Sequence, residues 1–327
     1  MRLPTVSAGI AAATAVVAAA ALTACADAFV TEVDVDLPEA ARELVVEAYL
    51  RPDDTSFVYV SRTVGILDPE GYDNVSDAAI ALEVDGEPVA TFAEAPARLS
   101  SARGDLPNGF SEYAAVLPAE RFAPGARFRL TATAPGGETV VAEEVVPAAG
   151  RLRSVSVTER EFDGAIAFTI EDAAGASGYL VEGTSVRYFP GFDPETREPN
   201  GEVDSSASPL DFFTGEDFDY LEYGERFTTG DAGFEGGAGS FRLGAYFGGG
   251  GGCFGEECAD VPRPKLRLRL RTINPAAVEY LQALRQAAEA EFNPFVEPVV
   301  IPSAFEGGRG VLAVMTAAEE VELELGD

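Results

Sequence analysis

Between Arg263 and Arg271 the chain reads Arg-Pro-Lys-Leu-Arg-Leu-Arg-Leu-Arg, and this alternation leaves little choice of conformation. A helix turns about 100° per residue and would scatter Leu266, Leu268 and Leu270 around its surface. A strand has a two-residue period and puts all three on one face. Arg263, Lys265, Arg267, Arg269 and Arg271 then share the other face. Two readings of that basic face follow. Pairing with acidic neighbours across a sheet is a common stabilising pattern. The functional reading is an anion-binding or partner-docking face, with Arg267, Arg269 and Arg271 as its binding residues.

The same strand signature recurs along most of the chain. Segments 43–50, 57–64, 78–84, 112–117, 126–133 and 138–146 are rich in Val, Leu, Tyr and Phe. Asp85-Gly86 and Pro135-Gly136-Gly137 between them carry hairpin chemistry. Phe128, Leu130 and Ala132 alternate with Arg129 and Thr131, as a half-buried strand requires. Short strands at this spacing predict an immunoglobulin-like β-sandwich over 41–148. A second β-rich domain follows over 149–327, opening with strands at 154–158, 165–170 and 178–188. The fold class expected is therefore mainly β.

Helical periodicity stands out once. Asn274-Pro275 supplies a cap and a proline at the first helical position. Val278, Leu281, Leu284, Ala288 and Phe292 then recur at spacings of three or four. The helix, 275–292, is expected to lay that stripe against the second domain's sheet. Gly307-Gly308-Arg309-Gly310 turns the chain into two final strands, 311–316 and 320–325.

The first 24 residues are of another kind. Met1-Arg2 is a short positive start, and 9–22 is an uncharged run of mostly Ala, Val, Ile and Thr. This is an export signal rather than a fold element. It ends in Leu22-Thr23-Ala24-Cys25, which looks like a bacterial lipobox, so Cys25 is expected to start the mature chain and to carry acyl groups. Each buried methylene contributes about 0.8 kcal/mol, so one acyl chain anchors marginally and several anchor stably. An acidic tether, 25–40, would space the first domain from the lipid. With Cys25 lipidated, Cys253 and Cys258 remain as an even pair in a glycine-rich bend, read as a local disulfide. Two thiolates without histidine make only half of a zinc shell.

Composition removes several function classes. Against 55 Asp and Glu stand 23 Lys and Arg, for a net charge of −32, with Lys265 the one lysine. Such a surface repels phosphate backbones, which argues against nucleic-acid binding. Acid-rich, lysine-poor composition resembles that of proteins from salt-loving organisms, where screening reaches about 3 Å at 1 M salt. Histidine is absent. No Ser-His-Asp triad or histidine metal ligand can form, and no P-loop, dinucleotide fingerprint or G-x-S-x-G is present. No catalytic residue, cofactor or metal is expected.

From Pro190 to Gly239 the chain is rich in Asp, Glu, Gly, Pro and Phe. Its oxygen-bearing residues over 193–219 could hold calcium, but no span has EF-hand spacing, and a solvated acidic loop is the expected state. The aromatic residues of 188–223, Tyr188, Phe189, Phe192, Phe212, Phe213, Phe218, Tyr220 and Tyr223, would form a binding platform if exposed and core if buried.

Several of these segments are similar to one family. Leu44-Val45-Val46-Glu47, the Val75-Ser76-Asp77-Ala78 turn, Tyr280, Asn293-Pro294-Phe295-Val296-Glu297-Pro298-Val299 and a terminal β-hairpin after a glycine-rich turn together resemble the domain-of-unknown-function 4249 family of envelope lipoproteins. Ser303 to Gly310 departs from the asparagine-containing turn usual there. The resemblance implies an outer-membrane lipoprotein working beside a TonB-dependent transporter, with no catalytic residues. Two other functions compete with that transport role: a free-standing adhesin or glycan-binding module using the aromatic loop, and a hydrolase using paired carboxylates.

Overall fold

The alternation at Lys265–Ile273 does form a strand, and it organises the second of two β-sandwiches. The computed structural model describes residues 41–52, 54–65, 73–95, 111–159, 163–173, 175, 178–192, 199–213, 226–231, 233–234, 236–246, 261–291 and 299–325. Cys25, Cys253, Cys258, Tyr220 and Tyr223 lie outside them, as do residues 1–40, over which the signal and the tether are expected.

The first sandwich uses β1 (Leu44–Leu50), β2 (Thr55–Arg62), β3 (Asp73–Asn74), β4 (Ala79–Val84), β5 (Glu87–Glu94), β6 (Ser111–Val116), β7 (Arg127–Thr133) and β8 (Thr139–Val145). Asp85 and Gly86 both take positive φ, 53° and 82°, which suits the tight β4–β5 hairpin that their sequence signals. Inward residues of β1, β2, β4, β7 and β8, such as Val46, Val58, Leu82, Phe128, Leu130 and Val140, fill one core.

The second sandwich begins with β9 (Arg151–Glu159), β10 (Asp163–Glu171), β11 (Gly178–Phe192) and β12 (Pro199–Pro209). It continues through β13 (Asp211–Phe213), β14 (Arg226–Gly230), β15 (Ala238–Tyr246) and β16 (Lys265–Ile273). Helix α1 (Pro275–Glu291) follows, then β17 (Arg309–Val314) and β18 (Glu319–Glu324). One sheet runs β13-β15-β10-β9; the other runs β12-β11-β16-β18, with β14 also on β11. Ile166, Phe168, Ile170, Val181, Leu243, Leu266, Leu268 and Leu270 pack between them.

Four expectations need correction. The last two strands are not a hairpin within the second domain. β18 pairs with β16, whereas β17 crosses back and pairs in parallel with β1, giving a first-sandwich order of β17-β1-β2-β6-β5-β4-β7-β8. Parallel strands buried on both faces read as apolar runs, and Leu-Val-Val-Glu-Ala-Tyr-Leu of β1 has that character. Gly310 makes the approach feasible: its φ is +123°, and a Cβ there would lie 1.8 Å from the Val46 carbonyl oxygen. Backbone bonds between Val141 and Glu306 then bring β8 against the segment entering β17.

The helix, in turn, does not serve the second sheet alone. Ala277, Val278 and Tyr280 pack with Tyr49, Tyr59, Val311, Ala313 and Met315 of the first sandwich as well as with Leu180 and Ile273 of the second. Ala288 of the expected stripe is exposed. Asn274 also departs from its expected role as a side-chain cap: its amide nitrogen donates to the Leu312 carbonyl and its oxygen accepts from Val314 N–H, at 3.1 and 2.8 Å. It thus covers the edge of β17 that faces away from β1.

The acidic stretch after Pro190 is no continuous loop. Asn, Gly, Asp and Ser disfavour strands by propensity, yet 199–209 forms β12 because a long partner, β11, is there to pair with it.

Candidate functional site

The basic face of β16 is one of two binding candidates in the sequence, and its neighbours decide its chemistry. Leu266, Leu268 and Leu270 are fully buried, so Lys265, Arg267 and Arg269 must point the other way. β18 lies alongside in a register that places Glu324, Glu322 and Glu320 opposite those three cations. Lys265 Nζ sits 2.5 Å from Glu322 Oε1, Arg267 Nε 2.9 Å from Glu322 Oε2, and Arg269 Nε 2.7 Å from Glu320 Oε2. The Glu322 carboxylate pushes the Lys265 ammonium above its usual range, by hydrogen bond first and charge second. In return, hydrogen bonds from Lys265 and Arg267 hold the Glu322 carboxyl below the usual carboxylate range. The face is an ionic ladder: an incoming anion would compete with carboxylates already in place.

Arg271 is set apart from that ladder. Only 2% exposed, it sends Nε to Glu182 Oε2 at 3.4 Å and Nη1 to the Thr316 carbonyl at 3.4 Å. Glu182 also faces Arg51, at the end of β1, at 3.9 Å. The pattern of alternating charge gave no hint that one arginine would be buried where the two sandwiches meet.

The aromatic candidates divide as well. Phe212 is core, 3% exposed. Tyr188 and Phe189 are half-buried neighbours on β11 and point to opposite faces of it. They lie where β11 runs beyond its pairing with β16, which ends at Val186 opposite Lys265, and continues with β12 as a two-stranded ribbon. Phe192, 52% exposed, lies at the end of β11. Tyr220 and Tyr223 fall outside the described residues. Among the described residues no group of three or more acidic or cysteine side chains could hold a metal.

A set of polar groups that the sequence reading did not single out as a site lies on the outer face of the first sandwich. Val311, Glu47, Tyr59 and Glu112 stand in one row across β17, β1, β2 and β6. Tyr280 of α1 donates its hydroxyl to Glu47 Oε1 at 2.8 Å, and Tyr49 donates to Oε2 at 3.4 Å. Glu112 is 4% exposed, and its Oε1 has no hydrogen-bond partner among the described residues. Burial pushes its carboxyl above the usual range. The two carboxyl-bearing backbones are two strand spacings apart, about 10 Å at ~4.8 Å each, with Tyr59 between them. Both acids are buried, and Glu47 is engaged by tyrosines, so the row joins helix to sheet. A lone acid inside the apolar run of β1 was the available signal.

Two segments that carried the family resemblance thus meet here, since Glu47 of β1 binds Tyr280 of α1. A third is the Val75–Ala78 turn, which Tyr113 clasps by donating to the Val75 carbonyl and accepting from Ala78 N–H, both at 2.8 Å. Fold and sites together define a mainly β protein of two sandwiches tied by one helix and a returning strand. The chain belongs to the family described as Domain of unknown function (DUF4249), whose model matches residues 30–320. No curated protein matches it. Among solved structures it is similar to a DUF3823 family protein from Bacteroides ovatus ATCC 8483, at 11% identity over 71% of this chain and 91% of that one. The TM-score of that superposition is 0.16, too low to build on.

Proposed function

We propose that the protein is a non-enzymatic lipoprotein of the cell envelope, held in the outer membrane by acyl chains on Cys25 and accessory to a TonB-dependent transporter. The observation that carries this reading is the export signal ending in Leu22-Thr23-Ala24-Cys25. Membership of the family adds support, and so does the way the basic face of β16 is neutralised by β18, which favours a scaffold over an anion-processing site. In this role it would help the transporter capture or admit a nutrient, or stabilise the complex. Cys253 and Cys258 would be joined as a disulfide in that oxidising compartment.

Crosslinked pull-down of the native lipoprotein from detergent-solubilised membranes at high salt tests the proposal. A stoichiometric TonB-dependent transporter is expected; recovery of the lipoprotein alone would overturn the role. Cys25→Ser should move the protein from the membrane to the soluble fraction.

The exposed Phe192 beside Tyr188 and Phe189 favours one other reading, a free-standing adhesin or glycan-binding module. A glycan array probed at native salt checks it, and Phe192→Ala should abolish any signal seen.

A further inference from the structure

We propose that β12 is an open sheet edge that takes up an extended segment of a partner protein as an added strand, the segment carrying basic side chains on one face and apolar ones on the other. This rests on the transporter-accessory reading and names the surface through which it would operate.

The backbone geometry shows which groups are on offer. Leu210 N–H donates to the Gly183 carbonyl at 2.9 Å, which makes Gly183 and Leu210 a hydrogen-bonded pair of the β11–β12 ladder. Antiparallel pairs alternate between bonded and non-bonded. Stepping along the register, Ser185–Ser208, Arg187–Ser206 and Phe189–Asp204 are bonded pairs, while Thr184–Pro209, Val186–Ala207, Tyr188–Ser205 and Pro190–Val203 are not. Both prolines fall at non-bonded positions, where a missing N–H costs β11–β12 pairing nothing. It follows that the N–H and C=O groups of Val203, Ser205 and Ala207 point away from β11.

No described strand receives them. β12 ends the sheet order β12-β11-β16-β18, and every residue from Glu202 to Pro209 is exposed. Unpaired edges of this length are normally blunted by charge (lysine above all), proline, a bulge or shortness. Here the charges, Glu202 and Asp204, and the register shift between Pro190 and Phe192 lie toward the start of β12, before Ser205–Ser208. β12 has eleven residues, no lysine, and prolines only at its two ends. The edge opposite, β18, is six residues with a glutamate at every second position.

Side chains set the chemistry of the occupant. Cross-strand partners share a face, so Val203 and Ala207 lie on the side of Pro190 and Val186, with Ser205 beside Tyr188. Val203 is 46% exposed. Glu202, Asp204 and Ser206 occupy the other side, where Glu202 also takes a hydrogen bond from the Asn200 amide. A strand laid along this edge would place apolar side chains next to Val203 and Ala207 and cationic ones next to Glu202 and Asp204. Main-chain bonds supply affinity in such strand addition and the alternating side chains supply selectivity.

The test compares the full-length lipoprotein with Ser205→Pro, which removes the central outward N–H, and with the double reversal Glu202→Lys, Asp204→Lys. Each form carries a photoreactive side chain at exposed Ser208 and is crosslinked in intact cells at native salt. The expected result is capture of the TonB-dependent transporter by the parent form, with the adduct in a segment that alternates basic and apolar residues. Both variants should lose at least tenfold of that yield while melting at the parent temperature. The reversal keeps the test decisive should Ser205→Pro fold poorly. Equal capture by parent and variants would overturn the edge assignment and leave the accessory role standing. No transporter in the parent lane would overturn the accessory role and this assignment with it. An adduct to a second copy of the chain would assign the edge to self-association and overturn the proposal.

Discussion

Both sandwiches place acidic side chains across neighbouring strands, yet the two arrangements differ in burial and therefore in weight. On the second sandwich, the β16–β18 ladder lies in water: Arg269 and Glu320 are 46% and 38% exposed along their side chains. On the first, Glu47 is 8% exposed beneath α1, and its oxygens accept from Tyr280 and Tyr49. Exposed pairs gain little Coulomb energy and are screened by salt. A buried carboxyl that loses a donor suffers the full desolvation penalty. The contrast teaches that cross-strand register positions a charge, while the covering element decides how much that charge matters.

The largest expected break is at the strand that creates the cover. Gly310→Ala forces a Cβ into the Val46 carbonyl and should cost about 3 kcal/mol, a strained and overpacked site combined. Thermal unfolding is the measurement, and the protection of β1, β17 and α1 in hydrogen exchange should fall together. If α1 kept its protection, the buried row would not depend on β17.

Next comes the lock itself. Tyr280→Phe keeps the ring and removes the donor to Glu47, with an expected loss of about 2 kcal/mol. Denaturant midpoints would show it. A change no greater than that of an exposed substitution would dissolve the distinction between the two faces.

Glu112 sharpens the comparison through pH. Its carboxyl is raised by burial, so the folded state favours the protonated form. Stability from this group is fully present below the unfolded-state value, about 4.3, and is lost as pH rises through the higher folded value. Glu112→Gln should therefore melt above the parent at neutral pH and show no such gain in acid.

The smallest effect is expected on the ladder, with the opposite sign. Glu322 is held low by Lys265 and Arg267, so what it contributes is present above its unfolded value and fades as pH falls through the folded one. Glu322→Gln should lower the melting temperature slightly in dilute buffer and not at all near 1 M salt, where screening reaches about 3 Å.

Much of this was legible in the sequence. Two-residue alternation at 265–271, Asp85-Gly86 at a hairpin and Asn274-Pro275 before a helix are local signals, fixed by backbone geometry within a few residues. They identified the class of fold, six of the first sandwich's strands (β1, β2, β4, β6, β7 and β8) and the helix, but neither β3 nor β5. The Leu22-Thr23-Ala24-Cys25 run, on which the proposed lipid anchor rests, is likewise a linear pattern. What escaped was set by contacts far apart in the chain. β17 left its apparent hairpin partner for β1, because Gly310 permits close backbone approach and the apolar faces of β1 and β17 both needed cover. β12 formed against its own propensity because β11 offered a ladder. Arg267 and Arg271 are identical in sequence pattern, yet one meets Glu322 in solvent and the other is enclosed beside Glu182. Composition and periodicity determine which faces are apolar and which elements form. Which face meets which, and so which charge is buried and which edge stays open, is decided only when the chain returns on itself, since that depends on pairings between residues hundreds of positions apart.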